Sequence, residues 1–447
     1  MRETHTVQTS IFDFYSKHEQ GLQLKTLSRK LDEYPEILEL VEQDLIKGID
    51  QDKGRSSLSA ESVFRCMLLK QMLGVSYKLL SFHLSDSLSY RTFARLRHSE
   101  SPSKSTLQEN IRKIRPVTLS NAFDFLALSG YETGEIDPEI IRIDSTVVKS
   151  NIATPSDSKL LNDGVRLLSR SLAKSKDITG VKIRFKDWRA LSKSLAFRIF
   201  NAKKLDKDEL YVDMLAIANK VVKQAESGIE KVKRNSDCSA VATQHWLGEL
   251  ENNLQIMLMV IDQTERRVIE EEDVPSTEKV VSFFELHTDI IVKDKREVQY
   301  GHKINVASDV RGLLTHVSIE EGNASDVERF IPILKAHELR FNTLPKTAVA
   351  DGGYACQQNV TEGKALGVKQ VVFHKKKGIN LKSMGVIQKT FDRLKQFRAG
   401  IEGNISTLKR AFGLGKATWK GYEGFHAYVW ASAITYNLVK LAGYDTG

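Results

Sequence analysis

Along the first 115 residues apolar positions recur three and four apart, the spacing of helices with one buried face. Residues 1 to about 50 read as helical with mixed charge. In 58–115, which contains LSAESVFRCMLLKQMLGVSYKLLSFHLSDSLSYRTFARL, Gly74, Ser85 and Ser87 interrupt the run and predict several short helices. SPSKSTLQENIRKIRP predicts a further helix start at Ser105 or Thr106, with Glu109 at capping-box distance from Thr106. Then the period changes. DPEIIRIDSTVV, residues 137–148, reads as a strand with no hairpin partner after it. From 159 to about 272 helical spacing returns. Heptad-like runs in DELYVDMLAIANKVVKQAESGIEKVKR and HWLGELENNLQIMLMVIDQTERRV predict an antiparallel helical pair. Strand character resumes at 298–321, as two runs around the turn SDVRG. A helix at about 325–338, the strand KTAVAD, a helix near 356–366, the strand KQVVFHK and helices at about 385–413 and 424–442 complete the chain.

This order predicts an α/β fold with one large insertion. The expected divisions are an N-terminal helical domain at 1–120, the first core strand at 135–158, a helical insertion at 159–280 and the rest of the core at 281–447. The N-terminal helices, with Lys and Arg interleaved, suit a helix-turn-helix reader of DNA and equally a plain bundle, because the turn of that motif leaves little trace in sequence.

Composition narrows the class. Three widely spaced cysteines, Cys66, Cys238 and Cys356, form no CxxC pair, which argues against a disulfide framework or a thiolate zinc site and fits a reducing compartment. The first twenty residues lack a basic head followed by an apolar core, so no signal peptide is expected. The apolar stretch FHAYVWASAITYNLVKLAG is interrupted by His426, Asn437 and Lys440, and reads as a buried helix rather than a membrane span. Net charge is +9 over 447 residues, unevenly spread. Lys375 to Lys420 holds twelve Lys/Arg and only two acids, Asp392 and Glu402. Such a block suits an anionic polymer or a solvated basic face.

Three acids stand out by position. Asp144 ends a strand. So does Asp351, followed by Gly352 and Gly353, which permit a sharp turn and leave space beside the carboxylate. Ligands of α/β sheets gather at strand ends, although Asp is also a common turn residue. In FRAGIEGNISTLKRAF, Arg398, Glu402 and Lys409 fall in one helical stripe beside an apolar stripe of Ile401, Ile405, Leu408 and Phe412. Gly400 and Gly403 weaken that helix by roughly 1 kcal/mol each, which suggests a close approach by something. Two Asp and one Glu are hard oxygen ligands suited to Mg²⁺ or Mn²⁺. A pair of such ions about 4 Å apart could drive phosphodiester cleavage, with Arg398 and Lys409 on phosphates.

These segments resemble bacterial insertion-sequence transposases of the DDE class, whose core is ribonuclease-H-like. IRIDSTVVKSNIATPSDSKLLNDGVRLL resembles the segment around the first Asp of that class, AVADGGY the second, and RAGIEGNISTLKRAFGL the Glu helix. The signature of the helix is Tyr, Arg, Glu and Lys at fixed steps. Arg398, Glu402 and Lys409 match it, while Lys395 stands where the Tyr belongs. The resemblance implies a ribonuclease-H-like mixed sheet flanked by helices, with Asp144, Asp351 and Glu402 binding two Mg²⁺ or Mn²⁺ ions. It implies DNA cleavage at element ends, then strand transfer into target DNA. A nuclease on the same core, or a domesticated protein that binds DNA without cutting, are the alternatives. The cations expected on double-stranded DNA are Lys375, Lys376, Lys377, Lys395, Arg398, Lys409 and Arg410. A homodimer in the active complex, no membrane contact and a cytoplasmic, nucleoid-associated location complete the expectation. The insertion lies between the two aspartates, 207 residues apart, whereas 51 separate Asp351 from Glu402. Asp326 is the reserve carboxylate. His302 and Lys303 could reach the same rim, and Ser156 and Ser158 could line the DNA path or start a helix. Trp419 could stack on a base or pack in the core.

Overall fold

The computed structural model describes residues 3–5, 15–48, 57–97, 99–237, 239–293, 297–374 and 378–443. Its organising element is the strand β1 (Ile140–Lys149). Strand side chains alternate between faces. Ile141 and Ile143 enter one apolar cluster and Val148 another, so Arg142 and Asp144 lie on Val148's face and Ser145 on the opposite one.

Five more strands join it: β2 (Asp289–Lys293), β3 (Glu297–Ser308), β4 (Leu314–Ile319), β5 (Thr347–Ala350) and β6 (Gln370–Phe373). The sheet order is β2-β3-β1-β5-β6, with β4 also on β3. β1 runs antiparallel to β3 and parallel to β5, and β5 runs parallel to β6. β3 and β4 form the expected hairpin around residues 309–313, where the Asp309 carboxylate accepts from the backbone of Leu313 at 2.8 Å. β2 was not foreseen, because its three apolar residues, Ile290, Ile291 and Val292, are too few to show alternation. The result is the mixed, helix-flanked sheet of a ribonuclease-H-like fold.

Seven helices precede β1 among the described residues: α1 (Glu19–Leu31), α2 (Pro35–Ile46), α3 (Ala60–Leu73), α4 (Tyr77–Asp86), α5 (Leu88–Phe93), α6 (Lys104–Lys113) and α7 (Pro116–Glu132). They share one hydrophobic cluster with the sheet, in which Phe64, Leu68 and Phe123 pack with Val148, Val306 and Ile434. α3 is enclosed almost throughout, so it cannot enter a DNA groove, while α4 and α6 keep exposed faces. Arg65 on α3 is buried against Glu61, Asp32 and Ser28. The cap of α6 is Ser103, which accepts from the Thr106 amide at 3.2 Å; neither Ser105 nor Thr106 starts the helix. Of three nearby hydroxyls, the first holds the extended backbone that a cap requires.

Residues 152–290 form a separate compact unit. It contains α8 (Asp157–Thr179), α9 (Arg189–Asn201), α10 (Lys204–Asn235) and α11 (Val241–Thr264). The two long runs are α10 and α11, but they pack with α8 and α9 in a four-helix cluster rather than as a pair alone. Gly164 of α8 makes room for Met257 and Phe283. Ser156 caps α8, Ser158 is buried, and Asp157 pairs with Arg267 at 2.8 Å. Past the insert, α12 (Asp326–Phe341) connects β4 to β5 and α13 (Gln357–Leu366) connects β5 to β6. Then come α14 (Leu381–Met384), α15 (Gln388–Ala411) and α16 (Tyr422–Leu441).

Candidate active site

The strands bring the two aspartates together. β1 and β5 pair in parallel with Ile143 opposite Ala350, so one further step sets Asp144 beside Asp351. Asp144 is held by the Ser145 amide, which donates to its Oδ1 at 2.8 Å. Asp351 begins a 3₁₀ turn, Gly352–Tyr354.

α15 supplies the third acid and the cation between all three. Arg398 Nη2 donates to Asp144 Oδ2 at 2.7 Å and lies 3.5 Å from Asp351 Oδ1, while Nη1 donates to Glu402 Oε1. Three carboxylates thus meet one guanidinium. One positive charge against three leaves two formal negative charges. Exposure is graded: the Asp144 side chain is 14% exposed, Asp351 37% and Glu402 63%. Arg398 itself is only 7% exposed, and its Nε is buried without a hydrogen-bond partner among the described residues. Arg398 was expected to face solvent phosphates. Instead it lies on the buried line of α15 with Phe391, Leu394, Ile401, Asn404 and Leu408.

Arg142, which sequence reasoning passed over, fixes α15 to the sheet. Its Nε donates to Ser308 Oγ at 2.9 Å and its Nη1 to the Phe397 carbonyl at 3.1 Å. Asn404 Nδ2 donates to the same Ser308 hydroxyl at 2.9 Å. Burial lowers the Arg142 pKa from its usual value. A Cβ on Gly400 would sit 1.9 Å from Arg142 Nη1. The close approach inferred from Gly400 is therefore that of Arg142, while a Cβ on Gly403 would meet nothing within 4 Å. The one available signal was an Arg two residues before Asp144 in an otherwise apolar strand.

Asp326 is the fourth carboxylate of the site. Its Oδ2 accepts from Ser145 Oγ at 3.3 Å and its Oδ1 from Lys303 Nζ at 3.2 Å. A Cβ on Gly353 would come within 2.8 Å of Asp326 Oδ2, which explains that glycine by close approach rather than by a left-handed turn. Asp326 thus touches the residue after Asp144 and the turn after Asp351. Beneath it, Tyr354 donates to Asn305 Oδ1 at 2.7 Å, and burial, then Asp326 and Asp144, push its phenol pKa well up. Lys303 reaches this site. His302, next to it, faces the other way and packs at 4.7 Å from Phe425.

The remaining expected contacts are dispersed. Lys395 and Arg410 are exposed on α15 and Lys409 is half-buried. Lys395, Glu402 and Lys409 are seven residues apart and so share one line of the helix. Lys375, Lys376 and Lys377 lie outside the described residues. Trp419 is 4% exposed and packs against Tyr428, so it is core. Among the described residues no three His, Cys, Asp or Glu side chains stand close enough to hold a metal as they are arranged here. As a donor set, Asp144, Asp351 and Glu402 fit a hard divalent cation: all are carboxylates, with uncompensated negative charge. No described helix is long and apolar enough to cross a membrane.

Two family models match the chain. Residues 258–438 match one described as a transposase DDE domain, and residues 13–113 match a transposase domain. The first match includes Asp351 and Glu402, and Asp144 falls outside it. No curated protein and no solved structure matches.

Proposed function

The chain belongs to the insertion-sequence transposases of the DDE class, and on that premise we propose that Asp144, Asp351 and Glu402 are its catalytic carboxylates. The enzyme cuts DNA at the ends of its element and joins the freed 3′ ends to a target. The observation that carries this reading is that three acids from distant parts of the chain all reach the guanidinium of Arg398.

Transposases of this class use divalent metal ions, and Asp144, Asp351 and Glu402 would hold Mg²⁺ or Mn²⁺ here, most simply two ions. A bound ion lowers the pKa of the attacking oxygen and neutralises charge on the leaving one. The chain's own side chains do the rest. Arg398 offsets the repulsion among three like charges by meeting each carboxylate with its guanidinium. Asp326, anchored by Lys303, orients Ser145 and the turn after Asp351. Lys395, Lys409 and Arg410, with Lys375, Lys376 and Lys377, hold the backbone of double-stranded DNA by charge-assisted contacts. Two element ends need two such sites, which favours a homodimer in the active complex.

The test is a joining assay with the full chain, a duplex bearing the element end, a supercoiled plasmid and Mg²⁺ or Mn²⁺. Metal-dependent nicking followed by covalent joining is expected. Nicking without joining would leave a nuclease, and DNA binding without nicking under either metal would leave a non-cleaving protein.

A further inference from the structure

The helical insert carries a basic, aromatic surface that the reading above does not use. Residues 182–203 hold seven Lys/Arg and one acid, Asp187, which is already paired with Arg189 at 2.6 Å. The other six cations, Lys182, Arg184, Lys186, Lys193, Arg198 and Lys203, are exposed and make no ion pair among the described residues. In 181–188, VKIRFKDW, apolar and basic residues alternate. Val181, Ile183, Phe185 and Trp188 turn into the bundle, and Lys182, Arg184 and Lys186 turn outward. α9 continues the pattern. Ser192, Leu195 and Ile199 are its buried line, whereas Phe197 is 70% exposed and Phe200 80%. Lys193, Phe197 and Phe200 stand at i, i+4 and i+7, one outward stripe, with Arg198 at its flank.

Two phenylalanines held in water among cations that make no ion pair among the described residues call for a partner that supplies both anionic and flat apolar surface. We propose that this face of the insert binds DNA, its cations on the phosphate backbone and Phe197 and Phe200 against unstacked bases. The proposal rests on the reading of the chain as a DNA-cutting enzyme, and it assigns to the insert a contact with DNA that includes unpaired bases. Charge complementarity selects this partner over the others. A second copy of the same face would bring six like charges against six. A lipid surface needs a continuous apolar face, and here Lys193 and Arg198 interrupt it while the apolar side of α9 is already buried. Nucleic acid offers phosphates at close spacing and π faces that stack on aromatic side chains without regard to sequence.

The experiment measures binding of the full chain to an intact duplex and to the same duplex with two unpaired bases, one of them 2-aminopurine, across a range of salt. For Phe197→Ala with Phe200→Ala, intact-duplex affinity should stay within about two-fold and affinity for the unpaired site should fall about ten-fold. The 2-aminopurine quenching seen with wild type should be lost. For Lys182→Ala, Arg184→Ala, Lys193→Ala and Arg198→Ala combined, the slope of log K against log salt should shrink by about 3. The corresponding Lys→Arg changes at 182 and 193 should leave it unchanged, and circular dichroism checks that the helices persist. Wild-type slope and wild-type preference in both sets of variants would overturn the insert's role while leaving the transposase reading intact. Absence of any DNA binding by wild type would overturn both. Binding to anionic vesicles, or self-association, that these variants abolish while DNA binding persists would assign the face to a membrane or to a second copy and overturn the proposal.

Discussion

In the sheet unit the charges of consequence lie inside. Arg65, Arg142 and Arg398 are 2%, 8% and 7% exposed, and each is held by groups from distant segments. In the insert the interior is largely a continuous apolar cluster from α8 to α11, and the cations of 182–203 stand outside it, six of them without an ion pair among the described residues. The difference is one of consequence per residue. A buried charge stripped of its partner leaves an uncompensated ion, at several kcal/mol. A solvated charge on a surface contributes modestly and roughly additively. Chemistry demands the first arrangement, because acids brought together must stay ionised and in register. Holding a long polymer demands only the second.

That contrast can be broken or sharpened by substitution. The largest effects should fall on the three acids. Asp144→Asn, Asp351→Asn and Glu402→Gln should each lower cleavage by on the order of 10³-fold or more, with DNA affinity within a few-fold of wild type. A variant that cuts at the wild-type rate removes its residue from the site.

Acid should unsettle the sheet unit next. His316 on β4 and His337 on α12 are buried; burial, with Arg340 beside them, lowers their pKa to about 3 and about 4. An unfolded histidine titrates near 6.5. Below that pH the unfolded chain takes up protons that the folded one refuses, so stability is full above about pH 7 and declines toward pH 4. At pH 5 the loss is roughly 2 kcal/mol per histidine. Hydrogen exchange at pH 7.5 and pH 5 should show protection falling in β4 and α12. Equal loss in α8–α11 would erase the contrast.

Asp326→Asn should act through its neighbours, slowing cleavage about 10–100-fold without loss of fold, as removal of an orienting group does. An unchanged rate would reduce it to a helix-start residue. The smallest effects are a matched pair on α15. Gly400→Ala drives a methyl into Arg142 and should lower stability by about 1–3 kcal/mol in urea. Gly403→Ala meets open space and should raise it by up to about 1 kcal/mol. Equal shifts would mean that Arg142 moves aside freely.

Much of this was legible in the sequence. Strand, insert, hairpin and crossover helices follow from the changes of period, and an acid at a strand end followed by two glycines marked Asp351; Asp144, expected to end its strand, lies in the middle of β1, because Ser145 and Thr146 continue the strand to Lys149. Register was not legible, because pairing between β1 and β5 joins segments about 200 residues apart, and local patterns carry no record of it. Arg398 was misjudged for a different reason. Only about 40° of helix rotation separates it from Glu402. The buried line of α15 includes two polar residues, Arg398 and Asn404, so a search for apolar stripes shifted the face toward Ile405 and Phe412. Surface chemistry on the insert went unread because exposed phenylalanines and buried ones look alike until the packing is known.

The most direct test of the carboxylate centre is Mn²⁺ titration of the full chain, followed by electron paramagnetic resonance, with wild type and the three acid variants compared. Saturable binding by wild type, weakened at least about ten-fold in each of Asp144→Asn, Asp351→Asn and Glu402→Gln, is the predicted result. Mn²⁺ binding that is equally strong in all four proteins would contradict it.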